Sequence, residues 1–187
     1  MTDTKRLFVA IPILDDLQAF FREQQPAFAH EAIRFVPDAN LHLTVHFLGE
    51  VPNRQIANIT NALQQVASTT APFTLQLEQL EPGPKPKSPR LIWARFAAHP
   101  LFTHLYTAIT TQLGISASNQ ADYIPHITLA RFQKDKTKPS SFPVVSEPSQ
   151  QIILPVSSIG LWQSELKSPH PIYRTLVLYP LTGTEKT

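Results

Sequence analysis

Residues 40–48 read NLHLTVHFL and residues 124–132 read IPHITLARF. Displaced by 84 positions, both carry a histidine, an apolar residue, a threonine and a second apolar residue: His42-Leu43-Thr44-Val45 and His126-Ile127-Thr128-Leu129. The displacement holds further out. RLFVA from Arg6 falls on RLIWA from Arg90, Leu17 falls on Leu101, and Phe21 on Leu105. One shift aligns a strand, a helix face and a second strand, which predicts two lobes of common β-α-β design about a pseudo-twofold axis. Any two β-α-β units share apolar spacing; the matched histidines and threonines are what such a generic likeness does not supply. With seven His and 42% apolar residues, chance yields only about 0.1 such motif in the chain.

Outward from the motifs, segments 6–11, 41–48, 73–80, 90–96, 126–132, 152–160 and 172–179 are short and rich in branched or aromatic residues, as strands are. Segments 14–28, 54–66 and 101–113 carry apolar residues at helical spacing. Asn53 and Pro100 are the expected helix starts. Pro-rich 81–89 and 134–149 read as loops, and the GTEKT tail as a frayed end. The expected class is α+β: two pseudo-twofold-related lobes, each an antiparallel sheet with outer helices, and the active-site cleft between them. Residues 1–187 are expected to form this single bilobal domain.

Composition removes several function classes. Without cysteine there is no disulfide, no Cys-ligated metal and no thiol nucleophile. The five glycines are isolated, so no glycine-rich phosphate loop can be built, and neither HExxH nor GxSxG occurs. No apolar run reaches a membrane span, and the stretch 7–14 runs into Asp15 and Asp16 without a cleavage site, so a cytoplasmic location is expected. The net charge of +2 hides an uneven distribution. Residues 1–82 hold five bases and nine acids, whereas 83–138 hold eight bases and two acids. Half of the basic charge lies in under a third of the chain, toward the second motif.

Along a strand side chains alternate, so His42 and Thr44 share one face and Leu43 and Val45 the other; His126 and Thr128 repeat the arrangement. Lobes packed about a pseudo-twofold would bring the four polar side chains into one cleft. Two imidazoles of near-neutral pKa suit a base and an acid on opposite sides of one reacting centre. Two hydroxyls suit an anionic oxygen, without a metal. An in-line displacement at phosphorus needs this set. Zinc is the competing use of His42 and His46, but four residues span roughly 13 Å of strand, so no metal site is expected. His30, His46, His99, His104 and His170 are read as structural or surface histidines.

The paired motifs resemble those of the two-histidine phosphoesterase superfamily, and most closely the RNA 2′,3′-cyclic phosphodiesterases, also called 2′-5′ RNA ligases. The likeness runs through RLFVAI at the start, NLHLTVHFLGEV at 40–51, PRLIWARF at 89–96, YIPHITLARF at 123–132 and the LWQSEL and IYRTL segments of the tail. It implies cofactor-free hydrolysis of terminal RNA 2′,3′-cyclic phosphates to 2′-phosphates, extending to ATP-independent 2′-5′ joining. Carried over by position, it implies that His42 protonates the departing 3′-oxygen and His126 activates water. Thr44, Thr128 and Arg131 would hold the phosphate. Ile124 departs from the family, where the position is often basic or polar. Tyr123 and Trp93 are candidates to stack on a base, with core packing as the alternative reading. The basic segments 85–90 and 131–138 are candidate backbone tracks. The expected partners are RNA ends bearing a cyclic phosphate, tRNA fragments among them, or small cyclic nucleotides, bound by a monomer without a membrane. The alternatives are a phosphodiesterase for another small cyclic phosphate or 2′-5′ linkage, and a non-catalytic RNA-end binder.

Overall fold

The alternating run at the start of the chain forms strand β1 (Thr4–Pro12), with Leu7, Val9 and Ile11 turned into the core. The computed structural model describes residues 3–85, 88–115, 124–139, 141–146 and 151–184. After β1 come α1 (Asp15–Gln24), β2 (Ile33–Phe35), β3 (His42–Pro52), α2 (Asn53–Thr69), β4 (Phe73–Gly83), β5 (Leu91–Phe96) and α3 (Pro100–Gln112). Strands β6 (His126–Phe132), β7 (Val145–Ser146), β8 (Ile153–Val156), β9 (Ser158–Glu165) and β10 (Ile172–Pro180) complete the described chain. The class is α+β, and every pairing among the described strands is antiparallel.

The strands lie in the order β10-β9-β1-β3-β6-β5-β4-β7, with β2 also beside β6 and β8 beside β4. The two motif strands are therefore neighbours at the middle of the order. They are joined by one pair, Leu43 opposite Ile127. Both side chains are fully buried, in a core that also holds Val9, Ile92, Ala94, Leu105 and Leu161. Helix α2 packs on β3, β9, β10 and α3, and sends Leu63 and Val66 into the same core.

The repeat is present in the strand pairing, with a shift of frame. Ala10 lies opposite Thr44 and Pro12 opposite His42; Trp93 lies opposite Thr128 and Arg95 opposite His126. The motif strands thus correspond at an offset of 84, but their partner strands at 83. The matched RLFVA and RLIWA segments sit one residue out of structural register. Burial agrees, since Val9 and Ile11 correspond to Ile92 and Ala94, all in the core.

Several boundaries differ from expectation. Helix α1 stops at Gln24, and Pro26 lies in a following 3₁₀ turn (Gln25–Phe28), because proline cannot supply an interior helical N–H. Asn53 does open α2 as its first residue, with Pro52 at the cap position, and the Asn53 amide bonds to Asp3. Pro100 does open α3, where His99 is the cap and its Nδ1 accepts the Leu101 N–H at 3.2 Å. Segment 152–160 divides at Ser157 into β8 and β9, which pair with β4 and β1 respectively. Strand β4 runs on through Gly83, into the segment read as a loop. No helix is long and apolar enough to cross a membrane among the described residues.

The Leu43–Ile127 joint yields a stability contrast. Leu43→Ala should cost about 2–5 kcal/mol in urea unfolding. Leu166→Ala, at a side chain 74% exposed, should change stability by no more than about 0.5 kcal/mol.

Candidate active site

Antiparallel pairing about Leu43 and Ile127 sets His42 across from Thr128 and His126 across from Thr44. Leu43 and Ile127 point into the core, so the four polar side chains share the opposite face. All four line one cleft of about 810 Å³, together with Arg131 and Tyr173. That volume is in the range of sites for small organic ligands.

Both imidazoles are held alike. His42 Nδ1 lies 2.7 Å from the Asn40 carbonyl oxygen and His126 Nδ1 lies 2.8 Å from that of Ile124. A carbonyl only accepts, so each neutral ring carries its proton on Nδ1 and keeps an unprotonated Nε2. His42 Nε2 accepts from the Thr44 hydroxyl at 3.0 Å. At both motifs the orienting group is backbone, two residues before the histidine. Ile124 fills this role as well as any polar residue, and its side chain is exposed.

The surroundings of the rings are unequal. Phe8, Trp162 and Tyr173 surround His42, with ring centroids 4.9, 5.6 and 5.2 Å away. Asn40 is buried, and its Nδ2 donates to the Pro171 carbonyl at 2.8 Å, fixing the turn that carries the His42 acceptor. His126 instead lies 4.8 Å from Trp93, whose Nε1 donates to Glu81 at 3.3 Å. A side chain at Gly83 would enter the Trp93 ring, with a Cβ only 2.4 Å from it. Burial pushes His42 down to about 4, against the Asn40 hydrogen bond that raises it and alongside the positive charges of Arg131 and His126. Burial also lowers His126, against the Ile124 hydrogen bond and with Arg131 adding to it.

Strict alternation would put Arg131, five residues after His126, on the opposite face. It does not, because Ile92 pairs with Ala130 while Trp93 pairs with Thr128, leaving Leu129 as an extra residue. This bulge reverses the faces beyond it. Ala130 is fully buried and Arg131 lines the cleft. The first motif repeats the device: Val9 pairs with His46 and Ala10 with Thr44, leaving Val45 extra. Phe47 then stands where Arg131 stands in the other half, 64% exposed and in the cleft wall.

Of the expected site residues, His42, Thr44, His126, Thr128 and Arg131 come together. Tyr123 lies outside the described residues. Trp93 is buried against His126 and is not an open stacking face. Lys134 lines the cleft, whereas Lys138 donates to the Pro89 carbonyl at 2.6 Å and sits over the Phe132 ring. His46 and His170, read as structural or surface histidines, also line the cleft. Phe8, Asn40, Phe47 and Tyr173, to which the motifs assign no role, all fall within segments that carry the resemblance, RLFVAI, NLHLTVHFLGEV and IYRTL. Among the described residues no group of three or more His, Cys, Asp or Glu side chains could hold a metal ion.

A family model described as the 2′-5′ RNA ligase superfamily matches residues 13–167. The chain belongs to this superfamily. A Geobacillus stearothermophilus relative named RNA 2′,3′-cyclic phosphodiesterase is 29% identical over 182 residues, covering 94% of this chain and 57% of that protein. The chain thus spans little more than half the length of that relative. A Thermus thermophilus relative of the same name is 30% identical over 186 residues, covering 95% of this chain and 91% of the relative. A crystal structure of a Thermus thermophilus protein superposes with a TM-score of 0.82 at 28% identity, covering 96% of this chain and 100% of that one. The superfamily match extends over both motifs and all the cleft strands except β1 and β10.

Arg131 lowers both histidines by its charge. Arg131→Met should therefore raise the titration midpoints of both imidazoles in proton NMR. Both should stay below the ordinary 6.5, because burial is the larger cause and is untouched. Unchanged or lowered midpoints would contradict the placement of that guanidinium.

Proposed function

We propose that this chain hydrolyses terminal RNA 2′,3′-cyclic phosphates to 2′-phosphates. The observation that carries the reading is the placement of two carbonyl-oriented imidazoles and two threonines on one cleft face, across the Leu43–Ile127 pair. The names of the relatives support the same reaction.

In this mechanism the cyclic phosphate sits between the two Nε2 atoms. The Thr44 and Thr128 hydroxyls and the Arg131 guanidinium bind its non-bridging oxygens. His126 Nε2 takes a proton from water as the water oxygen bonds to phosphorus. The P–O3′ bond breaks in line, and His42 gives the Nε2 proton to O3′. The products are a 2′-phosphate and a 3′-hydroxyl. His42 must arrive protonated, against its low value in the free protein. The substrate anion supplies the compensation, because its charge offsets Arg131 and favours the imidazolium. The deep depression of His42 favours a second reading in which the two histidines exchange roles.

A 5′-hydroxyl in place of water gives 2′-5′ joining through the same proton transfers, without ATP. Phe47, exposed in the cleft wall, offers an aromatic face to a base. No step draws on a metal or a cofactor. Residues 1–187 act as one bilobal unit and as a cytoplasmic monomer, on RNA ends that include tRNA fragments.

Incubation with a cyclic-phosphate oligoribonucleotide should give the 2′-phosphate, with a chelator leaving the rate intact. His42→Ala and His126→Ala should each lower kcat by at least about 100-fold while the far-UV spectrum stays native. Full activity in either variant would sink the two-histidine mechanism, and a 3′-phosphate product would overturn the departure of O3′.

A further inference from the structure

Arg34 and Arg131 lie directly opposite one another in the β2–β6 ladder. Their neighbours Ile33, Phe35, Ala130 and Phe132 pack into or against the core, so both arginines share the outer face, and both line the cleft. Like charges directly opposite in a sheet destabilise it. Here no carboxylate relieves them: among the described residues neither guanidinium is in an ion pair, although Asp135 lies in the same cleft wall. Arg34 is nonetheless fixed in place. Its Nη1 donates to the Pro169 carbonyl at 3.2 Å and its Nη2 to Gln133 Oε1 at 3.1 Å. Gln133 is itself set by its Nε2, which donates to the Glu31 carbonyl at 2.8 Å. These acceptors are neutral, so they orient the guanidinium without offsetting its charge, and they engage two of its five N–H donors.

A fixed, uncompensated cation facing a cleft suits an anion. It is a different anion from the reacting one. The charge of Arg131 depresses both histidines, whereas that of Arg34 is not among the causes of either shift; Arg34 therefore stands further from the reacting centre, where the contacts to Pro169 and Gln133 hold it. Lys134 and His170 line the same cleft.

We propose that Arg34 is the core of a second phosphate subsite, which takes the phosphate on the 5′-oxygen of the nucleoside that carries the cyclic phosphate. In an RNA end this is the last internucleotide diester. The subsite rests on the proposed phosphodiesterase reading and adds to it a reason to prefer an RNA end over a bare cyclic nucleotide. Lys134 and His170 lend positive or hydrogen-bonding character to its rim.

Three substrates test it: a nucleoside 2′,3′-cyclic phosphate with a free 5′-hydroxyl, the same compound with a 5′-phosphate, and a dinucleotide ending in the cyclic phosphate. The wild-type protein should show a higher kcat/KM on the second or third than on the first. Arg34→Gln should reduce that ratio at least five-fold, and should make the salt dependence of log kcat/KM on the dinucleotide shallower by about 0.7. An advantage shared by the dinucleotide identifies RNA as the source of the phosphate; one confined to the 5′-phosphorylated nucleotide identifies a mononucleotide. A purely structural role for the Pro169 and Gln133 contacts would lower all three rates together and leave the ratio intact, which overturns the subsite. A wild-type ratio near one also overturns it. A protein that turns over none of the three fails the phosphodiesterase reading, and the subsite falls with it.

Discussion

The site depends on one backbone contact, the pairing of Leu43 with Ile127. Burying these two apolar side chains fixes the register between β3 and β6. Because side chains alternate, that register presents His42, Thr44, His126 and Thr128 together on the other face. A slip of one residue on either strand would send its histidine and threonine into the core. The hydrophobic effect, acting on the apolar residues of the motif, therefore sets the positions of the polar ones. The carbonyls of Asn40 and Ile124 then choose the same tautomer for both rings.

Equivalence ends at the bulges. Val45 and Leu129 are both extra residues, and each turns the following side chains over. The result is Phe47 on the cleft face in one half and Arg131 in the other. One construction yields an apolar flank and a cationic flank around a symmetric centre. The packing of the rings is also unequal: His42 lies among Phe8, Trp162 and Tyr173, and His126 against Trp93 held by Glu81. Two chemically identical imidazoles thereby meet different environments, which proton donation and proton acceptance need.

The gathering of His42, Thr44, His126 and Thr128 on one face and the α+β class were legible because polar identities recur within apolar strands, a pattern local enough to read. The frame of the outer strands was not. RLFVA matches RLIWA at 84, but the pairing sets Ala10 equivalent to Trp93; apolar strands score well in several frames, and only hydrogen bonding decides. The face of Arg131 was hidden for a related reason, since period-two reading fails at a bulge that no glycine or proline announces. β2 is three residues long, too short for any period to show, yet it brings Arg34 beside Arg131. The surroundings of His42 come from β1 and from β9 and β10, the latter two more than a hundred residues from it in the chain, and have no local signature.

The central claim is that the two histidines serve one phosphate. It is tested most directly by following the C2–H resonances of His42 and His126 while 2′-AMP is added. Both should shift with a single binding constant, and both titration midpoints should rise, because an anion between them favours each imidazolium. Movement of one resonance alone, or separate binding constants for the two, would contradict a shared site.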